Sequence, residues 1–330
     1  MQWLLSSVLS SSALAQGSVQ RSRSVWPRQP VQMLVPFPAG GPSAILSKHL
    51  GKSFERMTSQ PMRLNYQSGA GGVAAASVVA KSAADGNMLF MGGSHLATAR
   101  ALFPSDDFDF LEDLRPLALV ANIPQVLLVN PSRMRSRTAM EWISDLSRKP
   151  VRYRMATSGI GSSSHIYSEL LKQHEKLELD FVHFRGSGPA LQDLLNGAAD
   201  TMVDGLISCL PHVRSGRLKA LMVSGNQRVP VLPDIPCAHE MGVDIVNSVT
   251  WYGIFAPSKL PDTIAVPIIR MFEQLGQDPE LHSTFASLGI QWGQLSGNAF
   301  ADMVKADTLK WAQILKNMNM GKLLKPSLEG

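Results

Sequence analysis

The chain has 330 residues and a formal net charge of +5, and 45% of its residues are hydrophobic. At roughly 150 residues per domain this length favours two domains, and the composition is that of a globular rather than a disordered chain. Its 31 lysines and arginines form no basic block, so we expect no nucleic-acid partner, and its two cysteines exclude a disulfide-dense scaffold.

Residues 1–15 have the pattern of a secretory signal peptide. An apolar stretch begins at Trp3 and ends in Ala13-Leu14-Ala15, a small-x-small sequence typical of a cleavage site. No lysine or arginine precedes the stretch, and an apolar unstructured N-terminus is the alternative. The signal peptide predicts a periplasmic protein, with residues 16–30 as an exposed lead-in.

Strands and helices alternate along the chain, which predicts parallel or mixed α/β sheets. Short apolar runs predict strands at 31–35, 62–66, 88–91, 152–157, 181–184, 202–203 and 218–224. Apolar residues at spacings of three and four predict helices at 46–57, 73–82, 138–146, 165–174 and 189–196. A longer apolar run at 117–130 contains Pro124, and Trp251 and Tyr252 lie in a further strand at 249–255.

Uncharged loops rich in glycine and serine lie where strands end and helices begin. In open α/β sheets ligands bind at this edge, and helix N-termini favour anions. The pattern therefore predicts a site that holds a small anion with backbone amides and hydroxyl groups. The candidate ligand-binding residues are Phe37, Gly40, Gly41, Ala70, Gly71, Ser94, Ser158, Ser162, Ser163, His165 and Asp204. A capping role for His165 and a turn-forming role for Asp204 are the alternatives.

The segment Gly69–Ala74 also fits the G-x-G-x-x-A pattern of a dinucleotide-binding loop between a strand and a helix. The strand that follows ends in Gly92-Gly93-Ser94 without the acidic residue that would bind a ribose. No nucleophile elbow and no zinc-ligand spacing occurs. We therefore predict no catalytic residue, metal or cofactor, and a nucleotide-dependent enzyme remains the alternative.

Six motifs follow one another from residue 35 to residue 257. They are Val35 to Gly41, Ser68 to Gly72 with Ala84 to Gly86, Ser158 to His165, Phe184 to Gly197, Leu232 to Pro236 with Glu240 to Gly242, and Trp251 to Pro257. In this order they resemble the periplasmic solute receptors of tripartite tricarboxylate transporters, the TctC or Bug family.

The resemblance implies a type II periplasmic-binding-protein fold, in which two α/β lobes close over a small molecule. Two crossing segments, expected near 127–130 and 250–255, would join a first lobe of residues 31–127 and 251–330 to a second lobe of residues 128–250. The family implies a receptor without catalysis that delivers a small carboxylate to membrane permease subunits. We expect it to act as a monomer.

The sequence departs from the family pattern at Ala44, where members often carry an aspartate that can meet a ligand amine. A buried ligand ammonium without a counter-charge is costly to desolvate. We therefore expect a carboxylate ligand without an essential ammonium group. The sequence leaves open whether Cys209 and Cys237 form a disulfide.

Overall fold

The structure is a computed structural model that describes residues 26–103, 107–148, 152–243 and 249–318. The predicted signal peptide lies outside these residues, as does most of the lead-in. Trp26, which was expected to be exposed, is buried instead: its ring contacts Phe54 at a centroid distance of 5.7 Å. Its indole N–H donates to the Gly86 carbonyl at 2.9 Å. The end of the lead-in is therefore part of the core.

Within the described residues, ten strands form two five-stranded sheets. The strands are β1 (Val31–Val35), β2 (Met62–Tyr66), β3 (Met88–Gly93), β4 (Leu114–Ile123), β5 (Gln125–Val129), β6 (Tyr153–Thr157), β7 (Leu179–His183), β8 (Thr201–Gly205), β9 (Lys219–Val223) and β10 (Thr250–Pro257). The first sheet has the order β2-β1-β3-β10-β4, and the second has the order β7-β6-β8-β5-β9. In each, three parallel strands are followed by one antiparallel strand that comes from elsewhere in the chain.

The helices cover both sheets. They are α1 (Pro42–Thr58), α2 (Val73–Ala80), α3 (Ser94–Leu102), α4 (Phe110–Asp113), α5 (Ala139–Arg148), α6 (Ser163–His174), α7 (Ser187–Leu195), α8 (Leu206–Arg214), α9 (Asp262–Leu275), α10 (Pro279–Ser287) and α11 (Gly297–Asn317). We call each sheet with its helices a lobe, the first lobe being that of β1. The α/β fold with two lobes is thus confirmed, although the sequence analysis does not predict α3, α8 or the C-terminal helices. Helix α8 contains Pro211, and a proline at such a position usually indicates that a helix ends.

The chain passes from the first sheet to the second at Pro124. Strand β4 ends at Ile123 and pairs with β10, whereas β5 begins at Gln125 and pairs with β8. Residues 125–127 therefore lie in the second sheet, and the crossing predicted at 127–130 is placed too late. The apolar run continues through the change of sheet, so its hydrophobicity does not mark the crossing.

The second crossing precedes Thr250, because β10 pairs with β4 along its whole length. The predicted crossing at 250–255 is therefore a strand of the first lobe. A hydrogen bond joins the residues that follow the two crossings, since the Gln125 amide Nε2 donates to Thr250 Oγ1 at 2.8 Å. This bond ties the neighbouring connections of the two lobes together.

Helix α11 contacts both lobes. It packs on α3 and β4 of the first lobe, while Trp311 and Leu315 near its C-terminus join a core cluster with residues of the second. The Trp311 ring lies 6.1 Å from the ring of Tyr167 in α6. The lobes therefore share apolar contacts as well as the two crossings.

Cys209 and Cys237 are both buried and free, so no disulfide joins them. Within the described ranges, no helix has the length and apolar character needed to cross a membrane.

Candidate functional site

A small cavity of about 30 Å³ lies between the lobes. We call it the inner cavity; its volume corresponds to about two water molecules. Both lobes contribute to its wall, mostly with small polar residues at the ends of strands. The lining residues are Phe37, Gly41, Pro42, Ser43, His95, Gln125, Ser158, Ser162, Ser163, Ser164, Ser187, Asp204, Gly205 and Tyr252.

Five of the described helices have their N-termini at the inner cavity: α1, α3, α6, α7 and α8. Four of them follow a glycine that provides no side-chain cap for the first-turn N–H groups; these glycines are Gly41, Gly93, Gly186 and Gly205. The first N–H groups of a helix lack partners within it, and a partial positive charge collects there. Five such ends make the inner cavity favourable for an anion.

Two polar atoms of the cavity wall have no hydrogen-bond partner among the described residues. They are Ser43 Oγ and His95 Nε2, whose residues are only 1% and 2% exposed. Buried polar atoms in native proteins are nearly always paired. Burial lowers the pKa of His95 to about 3, so its imidazole is neutral at physiological pH. These two atoms are therefore unpaired hydrogen-bonding groups of residues in the cavity wall.

Asp204 is the only acidic residue that lines the inner cavity in the described part of the chain. It lies in β8, and its carboxylate accepts hydrogen bonds from Ser187 Oγ at 2.7 Å and Ser208 Oγ at 2.5 Å. Burial raises the pKa of Asp204 to about 6, against the opposing effect of these donors. Its charge also raises the pKa of Tyr252, whose shift is caused mainly by burial. Asp204 therefore titrates close to neutral pH.

A larger space, which we call the outer compartment, has a volume of about 470 Å³. It shares Phe37, Ser158 and Ser162 with the inner cavity, so the two spaces adjoin. Its wall contains the second glycine-rich loop and three aromatic rings. The lining residues are Phe37, Ser68, Gly69, Ala70, Gly71, Phe103, Ser158, Gly159, Ile160, Ser162, His183, Phe184, Arg185 and Gly186.

Most of the predicted site residues lie in these two spaces. Those in the inner cavity are Phe37, Gly41, Ser158, Ser162, Ser163 and Asp204, and those in the outer compartment are Ala70 and Gly71.

Three predicted site residues line neither space. Gly40 packs across the lobe boundary, where a Cβ atom would lie 3.6 Å from Gly188 Cα. Ser94 Oγ lies 3.5 Å from Ser163 Oγ of the other lobe. His165 is buried beneath the third loop, and its Nδ1 accepts from the Gly161 N–H at 3.2 Å. His165 therefore supports the loop from below, in place of the predicted contact with ligand.

Sequence reasoning missed six polar residues of the inner cavity, which are Ser43, His95, Gln125, Ser164, Ser187 and Tyr252. Ser187 lies in a recognised loop, and His95 directly follows Ser94, so the strand-end rule could have found both. Ala44 is buried in the apolar core of the first lobe and is not a lining residue, whereas Ser43 is. An aspartate in place of Ala44 would thus not face the inner cavity as expected.

The lobes touch closely around the inner cavity. A Cβ atom added to Gly186 would lie 2.8 Å from Pro38 Cγ, and one added to Gly205 would lie 2.6 Å from Pro42 Cγ. Thr98 Oγ1 donates to the Gly161 carbonyl across the same boundary at 3.2 Å. The structure is therefore that of closed lobes.

The family model for the tripartite tricarboxylate transporter family receptor matches residues 46–320. The chain belongs to this family. The resemblance inferred from the six motifs is thereby confirmed, as is the role of a solute-binding receptor. This is a family of receptors rather than enzymes, and in this receptor the Gly69–Ala74 segment contributes to the wall of the outer compartment.

Relatives of known name or structure match most of the receptor. Protein BugT of Bordetella pertussis is 30% identical over 298 residues, which cover 89% of this chain and 91% of BugT. MatC from Rhodopseudomonas palustris with bound malate is 28% identical with a TM-score of 0.82, covering 88% of this chain and 100% of MatC. A second R. palustris protein, with adipate, is 26% identical with a TM-score of 0.85, covering 89% of this chain and 98% of the other.

Proposed function

We propose that this receptor binds the carboxylate group of a small organic acid in the inner cavity and delivers the acid to the permease subunits of its transporter. The convergence of five helix N-termini on one cavity between the lobes is the observation that carries this proposal. The unpaired Ser43 Oγ and His95 Nε2 support it, since both can donate to a carboxylate oxygen. The malate and adipate bound by two relatives are acids of the same class.

The ligand carboxylate is held by neutral donors in this proposal. No lysine or arginine of the described ranges lines the inner cavity, so backbone N–H groups and serine hydroxyls provide the hydrogen bonds. Asp204 is the one acidic group there that could balance a ligand ammonium, and both of its carboxylate oxygens already accept hydrogen bonds from Ser187 and Ser208. We therefore propose a ligand without an essential ammonium group. The receptor acts in the periplasm as a monomer and catalyses no reaction.

Calorimetric titration at pH 7.5 with succinate, malate, citrate, benzoate, aspartate and glutamate tests this proposal. The tightest-binding acid that lacks an amino group is expected to bind at least about ten-fold more tightly than either amino acid, because an uncompensated buried ammonium costs several kcal/mol. Tighter binding of aspartate or glutamate would contradict the ligand assignment. A protein that bound none of these acids would contradict the carboxylate site itself.

Export predicts that residues 1–15 are removed from the mature receptor, because a small-x-small sequence ends at Ala15. N-terminal sequencing of the receptor recovered from the periplasm is expected to begin at Gln16. An Ala15→Arg variant should retain the leader, since signal cleavage needs a small residue there. An intact Met1 on the unaltered periplasmic protein would exclude the cleavage.

A further inference from the structure

The outer compartment is lined largely by aromatic and apolar groups. Phe37, Phe103 and Phe184 contribute three rings, and Ile160 adds an aliphatic side chain. Glycine backbone of both lobes forms much of the remaining wall. Aromatic rings pair favourably with one another in offset or edge-to-face contacts. The compartment is therefore suited to a planar ring.

The two spaces differ in volume, so each can accept a different part of a ligand. The inner cavity, at about 30 Å³, can hold a carboxylate group but not the body of an organic acid. The outer compartment, at about 470 Å³, has the volume of an ordinary small-molecule site. Phe37 lines both and packs edge-on against His95 at a centroid distance of 5.2 Å. A ligand anchored by its carboxylate thus extends past Phe37 into the outer compartment.

A positive side chain lies at the wall of the outer compartment. Arg185 is exposed and makes no hydrogen bond or ion pair with any residue of the ranges 26–103, 107–148, 152–243 and 249–318. The backbone on both sides of it is fixed, because the Phe184 N–H donates to Thr157 O and the Gly186 N–H donates to Ser158 O, each at 3.0 Å. Arg185 is thereby positioned to meet a second anionic group of the ligand.

Resting on the proposed function, we propose that the ligand is an aromatic dicarboxylate. One carboxylate occupies the inner cavity, the ring lies among Phe37, Phe103 and Phe184, and the second carboxylate pairs with Arg185. Arg185 and Phe184 then determine specificity, whereas the serine hydroxyls and helix N-termini bind the carboxylate common to all the acids.

Calorimetry with terephthalate, benzoate, adipate and succinate tests this assignment. The unaltered receptor should bind terephthalate most tightly. Arg185→Gln should weaken terephthalate binding about five-fold, as expected for a solvent-accessible ion pair, and leave benzoate binding unchanged. Arg63→Gln is the matched control, because Arg63 is exposed but lines neither space. Phe184→Leu should weaken both aromatic acids about ten-fold and leave succinate unchanged.

The outcomes separate this proposal from the proposed function. Adipate or succinate binding as tightly as terephthalate would overturn the aromatic class, while the carboxylate receptor would stand. Binding of none of the four acids would overturn both. An equal loss of benzoate and terephthalate binding in Arg185→Gln, or no loss of either, would overturn the pairing of Arg185 with a second carboxylate. Because Arg185 is exposed, this variant tests the proposal even if Phe184→Leu does not fold.

Discussion

Replacing Gly205 with alanine is expected to weaken carboxylate binding about 30-fold while leaving each lobe folded. The new Cβ atom would lie 2.6 Å from Pro42 Cγ of the opposite lobe. The backbone at Gly205 has φ −64°, which alanine adopts without strain. Overpacking costs about 1–3 kcal/mol, and the lobes can relieve it by moving apart. About 2 kcal/mol against the closed state corresponds to about a 30-fold rise in Kd.

The matched control is Gly51→Ala in α1. A Cβ atom there would meet Met62 at 3.6 Å, an ordinary contact remote from the lobe boundary, so binding should be unchanged. Calorimetry with the acid that binds the unaltered receptor most tightly measures the affinities, and small-angle scattering with that acid reports closure. Unchanged affinity of Gly205→Ala would show that ligand binding does not require this closed arrangement of the lobes.

The second large effect concerns the pH dependence of stability. The folded-state pKa of Asp204 is about 6, above its ordinary value of 3.8, because burial disfavours the carboxylate. The folded state therefore binds the proton more tightly than the unfolded state. The stability this provides is fully present below pH 3.8 and is lost as the pH rises through about 6. At about 1.4 kcal/mol for each pKa unit, the loss is about 3 kcal/mol.

Asp204→Asn removes this loss, because an amide does not titrate and can still exchange hydrogen bonds with Ser187 and Ser208. The variant should gain stability relative to the unaltered receptor, by up to about 3 kcal/mol, between pH 4 and pH 7.5. Denaturant unfolding at several pH values measures the difference in the free energy of unfolding between the two proteins. The contributions of other titrating groups, such as His95, are the same in both proteins and cancel in this difference. Asp302→Asn, at an exposed position, is the matched control. A stability difference that does not change with pH would refute the assigned pKa.

The strand-end loops could be predicted because their signals are local. Glycine and serine clusters directly follow apolar runs, which predicted that Phe37, Ser158 and Ser162 lie at the edge of a sheet where strands end. In the structure these three residues line both spaces. Gln125 and Tyr252 could not be found this way. Both belong to apolar strands next to the crossings, where the pattern indicates burial and does not show which side chain faces the cavity.

Helix phase explains the error at Ala44. Neighbouring residues in the first turn of α1 differ in direction by about 100°, so Ser43 faces the inner cavity while Ala44 packs into the core. His165 shows a similar limit: its place in the sequence identified the loop, but its depth beneath Gly161 depends on how α6 packs. The direction of such a side chain depends on tertiary packing, which cannot be deduced from a single sequence.

The position of α11 has a consequence for the order in which the protein folds. All five strands of the second lobe lie between residues 125 and 223, yet its core cluster includes Trp311 and Leu315 from the last described helix. Contacts between such distant parts of a chain slow folding, because a long loop must close before they form. The middle of the chain therefore completes its core only when the C-terminal helix has packed against it.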